Sequence, residues 1–187
     1  MPRLFLAIKI IPSKVYEEAY FELKQKLSQS KINWVVRENF HLTLKFLSNV
    51  EEHILNSLNP ILEQLATRNP NFILETTNLG FFGRKRQPHV IWQGYKQNPH
   101  FKILTTSIEE SLTKLDFEKE GKYDLPHLTL GRVKYLAPEN NLEEILSSVE
   151  SSSFTHQVNK FSLMESTLTP NGAVYHVIKN YELKGFA

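Results

Sequence analysis

The 187-residue chain has no cysteine, so it has no disulfide, no thiolate nucleophile and no cysteine-ligated zinc. It also has no apolar run near the ~20 residues needed to span a membrane as a helix. The apolar start, residues 1–11, is short and leads straight into Pro12-Ser13-Lys14, without the length or small-residue cleavage site of a secretory signal. A cytoplasmic protein is the expectation. Charge of one sign is lacking too: a formal net charge of +2 does not suit a protein that coats nucleic acid by electrostatics alone. Any contact with RNA is expected to run through one local site. Linkers and low-complexity tracts are absent, which favours a single domain over residues 1–187.

What is present is a regular alternation of short apolar strands and amphipathic helices. Residues 4–10 read as a buried strand. Ser13 then offers a cap to a helix carrying Val15, Ala19, Tyr20, Leu23 and Leu27 at helical spacing. A strand over 40–47, a helix with Ile54, Leu58, Ile61 and Leu65 on one face, and a strand over 72–82 follow. Pro60 argues for a kink or break in that helix. The series then repeats with a strand over 89–96, a helix over 101–115 and a strand over 127–135. A helix opened by Pro138 and a strand over 157–168 complete it. Pro170-Asn171-Gly172 turns the chain into a last strand over 174–183.

The two halves also share one motif. His41-Leu42-Thr43-Leu44 and His127-Leu128-Thr129-Leu130 stand 127 − 41 = 86 positions apart, and the same shift carries the first strand onto residues 89–96. By average residue usage such a tetrapeptide recurs by chance in about one chain in several hundred. A shared offset indicates internal duplication, with repeat halves roughly 1–86 and 87–187. The fold class is therefore α+β: two pseudo-symmetric lobes about a twofold axis, antiparallel sheets flanked by helices, and a cleft between them.

Side chains alternate faces along a strand, which puts His41 with Thr43, and His127 with Thr129, on one face. By the same parity Phe40, Leu42, Leu44 and Phe46 form the core face. Lys45 falls on the His41 face, either as added positive charge or as a solvated strand-end lysine. Two imidazoles suit proton transfer near neutral pH, one giving while the other takes. The two threonine hydroxyls suit the non-bridging oxygens of a phosphate. No third or fourth ligand at a recognisable spacing suggests zinc. His53, His89, His100, His156 and His176 read as surface or structural. The basic run Arg84-Lys85-Arg86 is either a solvated hairpin loop or a steering patch for an RNA backbone. Phe81, Phe82 and Trp92 are core residues or platforms for a terminal base.

These motifs resemble those of the two-histidine (2H) phosphoesterases, which are defined by paired His-x-Thr-x segments. Within them the chain is most similar to the bacterial and archaeal RNA 2′,3′-cyclic phosphodiesterases, or 2′-5′ RNA ligase family. The resemblance runs from Arg3-Leu4-Phe5-Leu6-Ala7-Ile8 through Trp34-Val35, Glu38-Asn39 and Leu79-Gly80-Phe81-Phe82-Gly83. It continues in Val90-Ile91-Trp92, residues 126–132, Glu165-Ser166 and Tyr175. It implies hydrolysis of cyclic phosphate ends of RNA or nucleotides to 2′-phosphates, without a metal; no cofactor is expected, and the expected state is a monomer. His41 would be the proton donor, His127 the proton acceptor, and Arg132, with Thr43 and Thr129, would hold the phosphate. A 2′-5′ ligase, a phosphodiesterase for small cyclic nucleotides and a non-catalytic RNA-end binder are the alternatives. Arg132 lies five residues past His127, on the opposite face of a regular strand, so a bulge at Gly131 is needed to bring it round.

Overall fold

The computed structural model describes residues 3–119, 126–149, 154–169 and 172–185. Two antiparallel sheets carry the fold. In chain order the elements are β1 (Arg3–Lys9), α1 (Lys14–Lys26), β2 (Lys31–Trp34), β3 (His41–Asn49), α2 (Glu52–Arg68), β4 (Phe72–Arg84) and β5 (Gln87–Tyr95). Then come α3 (Pro99–Thr113), β6 (His127–Tyr135), α4 (Leu142–Ser148), β7 (Thr155–Val158), β8 (Lys160–Thr169) and β9 (Gly172–Glu182). One sheet has the order β3-β1-β8-β9 and the other β2-β6-β5-β4-β7. This is the α+β, two-sheet architecture expected from the duplication.

The sheets are not the two halves of the sequence. β4 comes from the first half yet pairs with β5, and β8 comes from the second yet pairs with β1. Helices exchange likewise. α1 lies on the β6 sheet, where Tyr20 Oη donates to the Val35 carbonyl at 2.7 Å and Leu23 packs near Leu79 and Leu130. α3 lies against β3 and beside α2. Local periodicity marks where strands are but not which partners they take, so a boundary at 86/87 does not divide the lobes.

Apolar alternation explains the core. Leu4, Leu6, Ile8, Leu42 and Leu44 of one sheet, and Leu74, Ile91, Leu128 and Leu130 of the other, join one buried cluster with Leu23, Leu58, Leu62, Leu104 and Ile108. A smaller cluster of Phe5, Ala7 and Met164, with Tyr175, lies on the other face of β1. Ser13 caps α1 as expected, accepting from the Tyr16 amide.

Three boundaries differ from expectation. α2 passes through Pro60 without a break, with that ring exposed to solvent. Pro138 does not open α4, which starts at Leu142 after Asn141. Instead the Asn140 amide bonds the Ala137 carbonyl across Pro138, a turn that suits proline's fixed φ equally well. The strand expected over 157–168 splits at Asn159, because β7 pairs with β4 in one sheet and β8 with β1 in the other. The Pro170-Asn171 turn lies outside the described residues. No helix among the described residues is long and apolar enough to cross a membrane.

Candidate active site

β3 and β6, the strands that begin with the two histidines, approach each other from opposite sheets. His41 and Thr43 are partly buried on one, His127 and Thr129 on the other, while Leu42, Leu44, Leu128 and Leu130 are buried behind them.

The alternation then breaks at the same place in both strands. Ala7 pairs with Thr43 but Leu6 with Lys45, leaving Leu44 as the extra residue of a bulge. Trp92 pairs with Thr129 but Ile91 with Gly131, leaving Leu130 as the extra residue. Each bulge turns two successive residues inward and shifts the next by one face. Arg132 therefore returns to the side of His127, as its place five residues on required. Its positive charge also acts on His41 across the site, disfavouring protonation of that imidazole.

The matching bulge overturns the parity reading of the first motif. Phe46 is exposed, not a core residue, and its ring lies 6.2 Å from Phe5 on the His41 side. Lys45 is buried, not on the His41 face. It pairs with Glu109 of α3 at 3.0 Å and donates to the Glu118 carbonyl. The repeat-equivalent residue is Gly131, where a Cβ would fall 2.7 Å from Ile32 Cγ2 and 2.9 Å from the Trp34 ring. β2 crowds that position in the second lobe, whereas β3 is a sheet edge and leaves room for a long side chain.

His41 is held on every side. Its Nδ1 lies 2.6 Å from the Asn39 carbonyl, an acceptor only, so Nδ1 carries the proton and Nε2 is the nitrogen left for chemistry. Asn39 is itself tied to β9 through Nδ2 and the Ala173 carbonyl, 3.0 Å. Phe5 and Tyr175 flank the imidazole at 5.2 and 5.0 Å. Burial pushes its pKa below the ordinary histidine value, the Asn39 bond partly opposes this, and the Arg132 charge adds to the lowering. His127 has its own aromatic wall, Phe82 edge-on at 5.0 Å and Trp92 at 6.5 Å. Trp92 lies across Gly80, where a Cβ would come within 2.4 Å of the indole.

The remaining candidates divide. Phe81 packs against the core, and Phe82 and Trp92 line the site. Arg84, Lys85 and Arg86 form the exposed tip of the β4–β5 hairpin, just beyond Phe82, with Lys85 paired to Glu143. His156 is drawn below its usual pKa by burial and bonds the Lys9 backbone, and His100 stacks on Phe72. Among the described residues no three His, Asp or Glu side chains are grouped as metal ligands. Phe5, Asn39 and Tyr175 lie in the segments that carry the family resemblance, but no role at the site was expected of them. For Asn39 the signal was its place two residues before the histidine, within reach of the ring; Phe5 and Tyr175 reach it only through strand pairing.

Two sheets facing each other through duplicated His-x-Thr strands define a phosphoesterase architecture, and the chain belongs to the LigT-like phosphoesterase family, whose model matches residues 12–92 and 97–175. Among individual relatives, the RNA 2′,3′-cyclic phosphodiesterase of Methanocaldococcus jannaschii is 36% identical, with 96% of this chain and 99% of that protein covered. The enzyme of the same name from Thermotoga maritima is 30% identical, over 98% and 96%. The crystal structure of TT0787 of Thermus thermophilus superposes with a TM-score of 0.79 at 26% identity, covering 98% of each chain.

Proposed function

We propose that this protein hydrolyses the 2′,3′-cyclic phosphate ends of RNA to 2′-phosphomonoesters, as a monomer in the cytoplasm and without a metal. The observation that carries this reading is the meeting of two His-x-Thr strands from opposite sheets, in a chain whose relatives bear that activity in their names.

In this reading Thr43, Thr129 and Arg132 hold the non-bridging oxygens of the cyclic ester, where charge accumulates as water attacks. His127 takes a proton from the attacking water. The new P–O bond forms as the P–O3′ bond breaks, and the electron pair that leaves on O3′ is met by a proton from His41 Nε2. The lowered pKa leaves His41 mainly neutral in the free protein at neutral pH. The anionic ester, once seated beside it, counters burial and the Arg132 charge and favours the protonated ring. A nucleoside 5′-hydroxyl in place of water attacks the same phosphorus, O3′ again leaves with the His41 proton, and a 2′-5′ linkage forms. Aromatic rings beside both histidines favour that as a second capacity.

The test is turnover of an oligonucleotide ending in a 2′,3′-cyclic phosphate. His41→Ala and His127→Ala should each lower the rate by about 10²–10⁴-fold. The double variant should be little slower than the slower single, because the two act as a unit. Full activity in either folded single variant refutes the acid–base pair, and failure of the wild type to open the ester refutes the substrate assignment.

A further inference from the structure

The hairpin that joins β4 to β5 carries charge that the proposed chemistry does not use. Its tip, Arg84-Lys85-Arg86, is exposed, and Lys85 and Arg86 form a two-residue turn between the paired Arg84 and Gln87. Such turns ordinarily favour Asn-Gly or Asp-Gly, which accept a positive φ. Here the left-handed step falls on Gly83, φ 114°, and the turn itself is given to two cations. Turn geometry does not ask for them. Lys85 is paired with Glu143, but among the described residues Arg84 and Arg86 have no carboxylate partner.

The tip is continuous with the site. Phe82 of β4, Val90 of β5 and Arg132 of β6 are neighbours across three strands, and Arg84 and the exposed Lys134 follow on β4 and β6. Phe82, edge-on to His127 and 45% exposed, lies between the tip and that histidine. An exposed ring flanked by unpaired cations is the combination that single strands use, bases stacking while phosphates are neutralised.

Distance decides which ligand can use it. Thr129 pairs with Trp92, and Gln87 at the tip is 92 − 87 = 5 positions back along β5, about 15 Å at the rise of a strand. That is beyond the Debye length of about 8 Å at physiological ionic strength. The one phosphate of a cyclic mononucleotide seated between the histidines is therefore screened from the tip. An RNA chain carries another phosphate at each link.

We propose that the β4–β5 hairpin is an RNA-binding arm: Arg84 and Arg86 hold backbone phosphates on the 5′ side of the reacting end, and Phe82 stacks a base between. The protein then acts on an oligonucleotide end in preference to a mononucleotide. The inference rests on the cyclic-phosphate reading above and narrows its substrate.

The test compares a single-stranded oligonucleotide and a mononucleotide, each ending in a 2′,3′-cyclic phosphate, by kcat/KM over a range of salt. One phosphate contact on a single strand contributes a slope of about −0.7 in log affinity against log salt, or about fivefold between ~1 M and ~0.1 M. The wild type should favour the oligonucleotide at low salt and lose that preference as salt rises. Arg84→Gln and Arg86→Gln should each lower oligonucleotide kcat/KM about fivefold at ~0.1 M salt and flatten its slope by about 0.7. Arg84→Lys and Arg86→Lys, which keep the charge, should retain most of both. All four should open the mononucleotide at the wild-type rate. Thermal melts identify any variant that has not folded, and the wild-type comparison decides without it. Equal losses on both substrates would make the hairpin a support of the site and overturn the proposal. So would unchanged oligonucleotide kinetics in the folded Gln variants, or a wild type that opens both substrates alike at every salt. A wild type that opens neither ester fails on function itself, and the proposal falls with it.

Discussion

The buried ion pair behind the first motif makes a quantitative prediction. Lys45 is four residues past His41 and points into the protein, with its side chain 2% exposed, while its partner Glu109 keeps 18%. Removing one partner of a buried pair strands the other, and the cost follows how deeply the stranded charge lies. Lys45→Met strands Glu109, whose two carboxylate oxygens are themselves buried but can be neutralised by taking up a proton, and also leaves the Glu118 carbonyl without its donor. The new methionine fills most of the vacated volume, so a loss of ~2 kcal/mol is expected, near the low end of breaking a buried pair. Glu109→Ala strands an ammonium with almost no access to solvent and opens a gap as well, which sets its cost at ~3–5 kcal/mol. The double variant Lys45→Met/Glu109→Leu removes both charges and should be more stable than Glu109→Ala. Urea unfolding with a common m-value measures all three. If Glu109→Ala proves cheaper than Lys45→Met, the ranking by stranded charge and vacated volume is wrong. Because Lys45 ties β3 to α3 and touches no substrate in the proposed reading, folded Lys45→Met should lose far less activity than His41→Ala.

Three further outcomes follow from the site. Arg132→Met removes a positive charge that helps lower the His41 pKa, so that pKa should rise. The alkaline limb of kcat/KM, where the free enzyme loses its acid proton, should then move to higher pH, whereas Arg132→Lys should leave it near its original position; a limb that stays or moves down in Arg132→Met refutes the coupling. Gly80→Ala would drive a Cβ into the Trp92 indole and should cost ~1–3 kcal/mol by overpacking, with slower turnover because that ring leans on His127; unchanged denaturant stability counts against it. Prolonged EDTA treatment should leave turnover intact, and loss restored by a divalent ion would point to metal-assisted chemistry instead.

Much of this site was legible in the sequence because period-two alternation and exact repetition are local signals. The strands over 127–135 and 72–82 and the faces of His41, Thr43, His127 and Thr129 came from counting residues, and the need for a bulge before Arg132 came from the same parity once the family resemblance had implied a phosphate-holding role for that residue. The same counting misplaced Lys45 and Phe46. A bulge shows in sequence only when a residue known to matter falls on the wrong face, as Arg132 did. Nothing about Phe46 raised that alarm, although the 86-residue offset makes it Arg132's counterpart and carried the information. The exchange of β4 and β8 between sheets was beyond local reading for another reason. Each is a plain apolar strand, and its partner is decided by long-range pairing rather than by its own residues.

That exchange has a consequence for how the protein is put together. Because each half lends two strands and a helix to the other's sheet, neither half can close a core alone. Opening the chain at the Lys85-Arg86 tip should yield two pieces that assemble with each other rather than two folded domains. A single ancestral half, facing the same problem, would have had to clasp a second copy of itself. The one motif histidine of each copy would then have met its twin only at the seam between the copies, one reaction centre for each pair. Fusion of the copies would have freed Phe46 and Arg132 to differ, which two identical chains cannot do.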